Sequence, residues 1–323
     1  MRIFVTGGTG LLGNNVLRQL EAAGHETVAL VRQIPEPKIF EGLASRLVQG
    51  DLFSEDTIDR AVADCDAVVH SAALIHLGWK QLAESMRINR DGTRSIVDAC
   101  IKHDRKMVHV GTVDCLAVGS KQAPSNESTP ITSSTQNVPC SYVVSKTASV
   151  KEVLDGVSRG LRATIVHPGF MLGPWDWKPS SGRMIVEVSK AWRPFAPRGG
   201  ASVCDVRDVA AAVISAIEHP SNDGRQYILG GHNMTYFQLW KEITRRTSTR
   251  GPITPTGPIA LWIAGIFGDL KTRITRHESD INSAAIRMSS LYHWYDSSRA
   301  KAELGYQIRD LGETLDDAVD WLR

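Results

Sequence analysis

A chain of 323 residues, 42% hydrophobic and 22% charged, is long enough to bury a large core and too apolar to stay disordered. Thirty-seven basic side chains face 35 acidic ones, and that +2 balance gives no reason to expect nucleic acid or an acidic membrane as partner. Five scattered cysteines (Cys65, Cys100, Cys115, Cys140 and Cys204) without a C-x-x-C pair point to reduced thiols. The first apolar run, Ile3–Val5, is too short for a signal peptide, and the longest, Pro258–Phe267, is too short for a bilayer and lacks the basic flank of an interfacial helix. A cytoplasmic protein without stable membrane insertion is expected.

In chain order, Arg2–Thr6 reads as a buried strand, then glycines open a helix running to Ala23. Leu12, Val16 and Leu20 share one face of it, and Gly24 ends it. Strands follow at Thr27–Val31 and Arg46–Val48. Ser54 reads as the N-cap of a helix carrying Ile58 and Val62. A strand at Ala67–His70, one long helix over Lys80–His103 and a strand at Lys106–Val110 come next. After a polar loop, a helix is expected over Ser141–Val157, a strand at Ala163–His167, a helix at Val206–Glu218 and a strand at Gln226–Leu229. Beyond Gly231 the pattern turns helical. The alternation predicts an α/β fold: a doubly wound parallel Rossmann-type sheet with a smaller, mostly helical C-terminal substrate lobe. Residues 1–168, joined by 203–230, would form the dinucleotide-binding domain, and 169–202 with 231–323 the substrate lobe.

Gly7, Gly10 and Gly13 stand between the first strand and its helix. In that context the first permits a tight turn, the second close approach to a pyrophosphate, and the third close packing of helix on strand. Free amides at the helix start would face the anion. The second strand ends in Arg32 with no acid beside it. A carboxylate there would repel a 2′-phosphate, whereas a guanidinium can pair with it, so NADP(H) is favoured over NAD(H). Asp51 is a candidate for the adenine end, or an ordinary turn residue.

Tyr142 and Lys146, four apart, share a helix face. At about 100° per residue they fall at about 0° and 40°, on the flank of a stripe of Val143, Val150, Leu154 and Val157 centred near about 80°. An ammonium there would lower the tyrosine's ordinary value near pH ~10 and let it exchange a proton with a carbonyl oxygen as hydride arrives at carbon.

These residues resemble the extended short-chain dehydrogenase/reductase family (the NAD-dependent epimerase/dehydratase superfamily). The matching pieces are Thr6-Gly7-Gly8-Thr9-Gly10-Leu11-Leu12-Gly13, Gly50-Asp51-Leu52, His70-Ser71-Ala72-Ala73, Asn89-Arg90-Asp91-Gly92-Thr93, Tyr142-x-x-x-Lys146 and His167-Pro168-Gly169. Asp205-Val206-Arg207-Asp208-Val209-Ala210 and Ser298-Arg299-Ala300 extend the match. The resemblance implies that a dinucleotide is held by Gly7, Thr9, Gly10, Leu11, Leu12, Gly13, Arg32, Asp51 and Leu52, with Ser71, Ala72, Ala73, Asn89, Tyr142, Lys146, His167, Pro168 and Gly169. It also implies a catalytic Ser or Thr after the fifth strand. Thr112 fits best. Gly111 departs from the usual pattern, and a shift of one or two residues would instead leave Asp114 as a polar group in the pocket. Arg32 is similar to the dihydroflavonol and cinnamoyl reductase branch, which uses NADP(H), and the hydroxysteroid dehydrogenase branch is similar in the C-terminal half. The family often dimerises through the helices at Asn89–His103 and Tyr142–Val157.

On the substrate side, Trp175 and Trp177 follow the sixth strand and would either wall an apolar or aromatic substrate or pack the lobes together. Trp262 and Phe267 would cap the same pocket or fill the small lobe. No histidine stands at metal-ligand spacing, so no metal is expected. The leading expectation is an NADP(H)-dependent carbonyl reductase or alcohol dehydrogenase acting on a small molecule. The alternatives are a nucleotide-sugar epimerase or dehydratase with bound NAD, and a non-catalytic dinucleotide sensor.

Overall fold

The structure is a computed structural model that describes residues 1–130, 138–220, 223–257 and 283–323. The apolar segment around Trp262 and Phe267 lies outside the described residues. Strand β1 (Arg2–Thr6) enters helix α1 (Leu11–Ala22), followed by β2 (Glu26–Val31), β3 (Arg46–Gln49), α2 (Glu55–Ala63) and β4 (Ala67–His70). Then come α3 (Leu82–Ser85), a π-helical turn at Met86–Asp91, α4 (Gly92–Lys102), β5 (Lys106–Val110), α5 (Ser141–Ser158) and β6 (Ala163–Pro168). The rest comprises β7 (Phe170–Leu172), α6 (Arg183–Lys190), β8 (Phe195–Ala196), β9 (Gly200–Asp205), α7 (Val206–Glu218), β10 (Asp223–Leu229), β11 (His232–Thr235) and α8 (Tyr236–Arg246). Last are β12 (Thr254–Pro255), α9 (Ser283–Ser290), β13 (Tyr292–His293), α10 (Ser298–Leu304) and α11 (Leu311–Leu322).

Seven parallel strands form one sheet in the order β10-β6-β5-β4-β1-β2-β3. Alternate side chains of β1 serve opposite faces. Ile3 and Val5 join a core with Leu12, Val16 and Leu20 of α1 and Val209 and Val213 of α7. Phe4 joins one with Ile58 and Val62 of α2, Ile96 of α4 and Val153 of α5. This two-sided burial is why the parallel strands carry near-continuous apolar runs. The order reverses between β1 and β4, so a crevice opens beyond the carboxyl ends of those two strands.

Two local expectations need correcting, and one sheet was not anticipated. The helix over Lys80–His103 begins at Leu82 and contains the π turn, which carries Asn89 inward. Ser54 makes no side-chain cap; its hydroxyl instead donates to Asp51 Oδ1 (3.0 Å). The C-terminal part also carries a sheet, β11-β9-β13 with β7 also on β9, in which short strands surround the six-residue β9. Leu172, Val203, Leu239, Ile243 and Leu315 form the core beneath it. All five cysteines are free and buried. Among the described residues no helix is long and apolar enough to cross a membrane.

Two glycines separate two kinds of constraint. Gly24 adopts φ +81° where a Cβ would meet nothing, and His25 N–H donates back to the Leu20 carbonyl (3.0 Å) to close the helix. A Cβ on Gly13 would lie 2.2 Å from the Gly7 carbonyl oxygen. Gly24→Ala should therefore cost about 1–2 kcal/mol of backbone strain, and Gly13→Ala more than about 3 kcal/mol because backbone must move. Urea unfolding of both variants checks the order, and a Gly13→Ala variant as stable as Gly24→Ala would contradict it.

Candidate active site

The glycine turn sits at the strand-order reversal. Gly10 N–H closes it onto the Gly7 carbonyl (2.9 Å), and the helical bonding of α1 starts with Asn14 N–H on the Gly10 carbonyl (2.9 Å). The amides of Leu11, Leu12 and Gly13 are thus left at the helix start, facing a cleft of about 410 Å³. Gly7 has φ +78°, and its Cβ would meet the Ala72 amide at 2.8 Å, so β1 and the loop after β4 approach as closely as backbone allows. Gly10 differs. Its backbone is extended (φ −91°), and a Cβ would meet only the Gly7 carbonyl at 3.3 Å. Conformation does not demand glycine there, and packing opposes a Cβ only through that one tight contact. What the missing side chain keeps clear is the space above the turn, which fits a pyrophosphate.

Thr9, Arg32, Asp51, Leu52 and the run Ser71-Ala72-Ala73 line the same cleft. Arg32 is exposed on its wall at the end of β2. Asp51 also ties its own turn, accepting from Phe53 N–H (2.9 Å), and that bond holds its carboxyl below the usual range. Two residues expected at the cofactor lie behind the cleft instead. Asn89 is buried, and its amide bonds both the N–H (2.7 Å) and the carbonyl (2.9 Å) of Leu74 and the Ser145 hydroxyl (2.8 Å). It fastens the loop after β4 to α5. His167 is fully buried, with Nδ1 3.0 Å from the Thr112 carbonyl and Nε2 2.8 Å from the Gln226 amide. Burial lowers its pKa to about 4, so the ring is neutral. A Cβ at Gly111 would lie 2.7 Å from His167 Nδ1, which explains why this chain has glycine where a hydroxyl residue is more usual. Pro168 and Gly169 line a second cavity.

That cavity, of about 900 Å³, adjoins the cleft, and Tyr142 borders both. Lys146 borders the cleft and Thr112 the cavity. The amides of Ser141 and Tyr142 are satisfied by the carbonyls of Gly78 (2.7 Å) and His76 (3.1 Å), which fixes the start of α5. The expected lowering of Tyr142 by its neighbour does not appear here. Burial first, then the Asp114 carboxylate, push the phenol well above its ordinary value, and a hydrogen bond with Thr112 opposes them. Lys146 Nζ donates to the Val110 carbonyl (2.6 Å), and burial lowers it to about 8, which leaves it mostly ammonium at neutral pH.

Trp175 and Trp177 do not wall the cavity. Both pack on Trp321 of α11 with ring centroids 4.7 Å away, and Arg18 of α1 lies over Trp175 at 3.4 Å. The cluster joins the small lobe to α1. The aromatic walls come from Phe170, Trp192, Phe195, Tyr236 and Trp240, none singled out by sequence, beside Met184 and Ile286. Asp114, the alternative polar group after the fifth strand, also lines this cavity, and its neighbour His293 was missed. His293 Nδ1 lies 3.2 Å from Asp114 Oδ1, and its Nε2 is 3.0 Å from the Met288 carbonyl. Burial lowers the imidazole, but the bond to Asp114 and its charge outweigh burial, and the net direction is up. Among the described residues no three His, Cys, Asp or Glu are grouped to hold a metal.

A model of the NAD dependent epimerase/dehydratase family matches residues 3–230. A Synechocystis sp. protein provisionally named dihydroflavonol 4-reductase is 29% identical over 327 residues, covering 99% of this chain and 94% of that one. A dTDP-glucose 4,6-dehydratase of Mycolicibacterium smegmatis is 31% identical over 342 residues, covering 100% and 93%. Among solved structures, gox2253 superposes with a TM-score of 0.86 at 29% identity, covering 99% of this chain and 97% of that one.

The raised value of His293 fixes a sign. A base that binds its proton more tightly when folded stabilises the fold fully below its unfolded value, near pH ~6.5, and loses that contribution as pH rises through the folded value. The stability difference between wild type and His293→Gln should therefore be largest at about pH 6 and shrink by about pH 9. Urea midpoints across that range check this, and a constant difference would contradict it.

Proposed function

The chain belongs to the NAD dependent epimerase/dehydratase family, the extended short-chain dehydrogenase/reductases, and is an NAD(P)-dependent oxidoreductase; from that premise we propose that it uses NADP(H) to interconvert a carbonyl and an alcohol on a small, mostly apolar substrate. The observation that carries the reading is the position of Tyr142, whose side chain borders both the dinucleotide cleft and the larger cavity. When bound, the nicotinamide exchanges a hydride with the substrate carbon, NADPH being oxidised as the carbonyl is reduced.

The chain's own residues do the rest. Tyr142, kept protonated by burial, gives its proton to the carbonyl oxygen, and takes it back in the reverse direction. Lys146 puts an ammonium on the same helix face at the floor of the cleft, where it favours the phenolate as that forms. Thr112, hydrogen-bonded to Tyr142, meets the substrate oxygen from the cavity side. Ser71-Ala72-Ala73 and the amides of the glycine turn hold the dinucleotide, and Asn89 and His167 act at one remove, by fixing the loops that touch it. Arg32, exposed on the cleft wall with no acid beside it in the chain, meets a 2′-phosphate.

The cavity speaks for an apolar substrate over a nucleotide sugar. Its described lining includes one Lys or Arg, Arg193, which is already paired with Glu187 at 2.6 Å, so a diphosphate would find few donors there.

NADPH should bind at least ~1.4 kcal/mol (tenfold) more tightly than NADH, and Arg32→Ala should erase the difference. Fluorescence titration of both cofactors checks this; equal affinities in the wild type would contradict it. Gly10→Ala should keep the fold, its stability within about 1 kcal/mol, yet weaken both cofactors tenfold or more. Turnover of a carbonyl panel should vanish in Tyr142→Phe, and turnover retained there would contradict the mechanism.

A further inference from the structure

Ten large hydrophobic side chains are exposed among the described residues, and four of them, Ile75, Leu77, Trp192 and Phe195, line the cavity of about 900 Å³. Side chains that are both exposed and lining mark where a cavity meets solvent, so the mouth of this one is rimmed by apolar groups. The rim extends outward on the small lobe. Phe195 pairs in register with Thr254, Ile253 N–H donates to the Pro194 carbonyl (2.8 Å), and Trp192 Nε1–H donates to the Gly251 carbonyl (3.2 Å). Trp192, Phe195 and Ile253 therefore stand on one small platform, 45%, 58% and 62% exposed. Its charges are mostly cations. Arg250 lies over the Trp192 ring at 3.9 Å, and the stretch from Glu187 to Arg198 carries three exposed cations, Lys190, Arg193 and Arg198, against the one acid Glu187.

We infer that this rim docks on an anionic lipid bilayer, from which a lipid-dissolved substrate enters the cavity. The inference rests on the carbonyl–alcohol reading above for what happens inside the cavity, and adds where the substrate comes from. Tryptophan and aliphatic side chains interleaved with cations suit a headgroup layer, with the rings at the acyl boundary and the guanidinium groups at the phosphates. The near-balanced charge of the whole chain does not oppose this, because the field of a leaflet decays within a Debye length and acts only on the face turned toward it. A second copy of the chain fits the rim less well, since a two-fold contact would set these cations against themselves. Lipid would cover the apolar rim without a matching shape, and an apolar substrate would pass from acyl chains to the aromatic walls without crossing water. The substrate class is thus a carbonyl or hydroxyl compound whose large apolar body partitions into membranes.

Flotation of the wild-type protein with lipid vesicles, with no substrate present, tests the docking. Vesicles of equimolar phosphatidylcholine and phosphatidylglycerol should carry the protein at least about tenfold better than vesicles of phosphatidylcholine alone, and high salt should release it. Ile253 and Arg250 lie outside the cavity lining. The double variant Ile253→Ser, Arg250→Ser should weaken partition about tenfold or more, while keeping the wild-type urea midpoint and the turnover of any water-soluble member of the carbonyl panel. Arg198→Ser, at another exposed cation of the rim, should weaken partition about fivefold and keeps the test open if the double variant does not fold. No flotation with the anionic vesicles, equal binding to the neutral ones, or partition unchanged in the variants would overturn the inference. A dimer in gel filtration that Ile253→Ser dissociates, with no flotation, would assign the rim to a second copy and overturn it as well. Flotation needs no turnover, so its failure leaves the carbonyl–alcohol reading standing. Full activity in Tyr142→Phe sinks that reading, and the vesicles then still decide the docking.

Discussion

The site depends on one close contact, that of the α1 start against the Gly7 carbonyl, where a single methylene at Gly13 would intrude to 2.2 Å. That approach brings the helix amides to the end of β1, and the Gly7–Ala72 contact brings the loop after β4 to the same place. The cleft between them is therefore a consequence of backbone packing rather than of any side chain that fills it. Gly10 then stands free at its rim, where a glycine is explained by what must come near it. The dipole and orphan amides of α1 supply the field for an anion without a charged residue.

Much of this was legible because it is local. The strand–turn–helix context of Gly7 to Gly13, the Arg32 at the end of β2 and the four-residue spacing of Tyr142 and Lys146 need no knowledge of distant chain. What could not be read depends on contacts between remote residues. Asn89 and His167 belong to matched motifs, yet a motif does not say which way a side chain turns, and both turn into the protein to bond loops. Gly111 looked like a departure from pattern until the His167 ring was seen to occupy the room its Cβ would take. Trp175 and Trp177 meet Trp321 at the far end of the chain, a pairing no periodicity encodes. The strands β7, β9, β11 and β13 escaped for the same reason: each gains its partners only from the assembled lobe.

The same remoteness hid His293, the neighbour of Asp114 in the substrate cavity. Asp114 lies just after Thr112, whereas His293 arrives on β13, beside β9. The cavity is walled largely by aromatic and aliphatic side chains, and a carboxylate facing such a wall gains from a counter-charge.

The most direct measurement of the central claim is a crystal structure of the protein with NADPH. The account predicts the 2′-phosphate within hydrogen-bond distance of the Arg32 guanidinium, and the nicotinamide C4 facing the cavity wall of Thr112 and Tyr142. A 2′-phosphate turned to solvent away from Arg32, or a nicotinamide ring directed away from Tyr142, would contradict it.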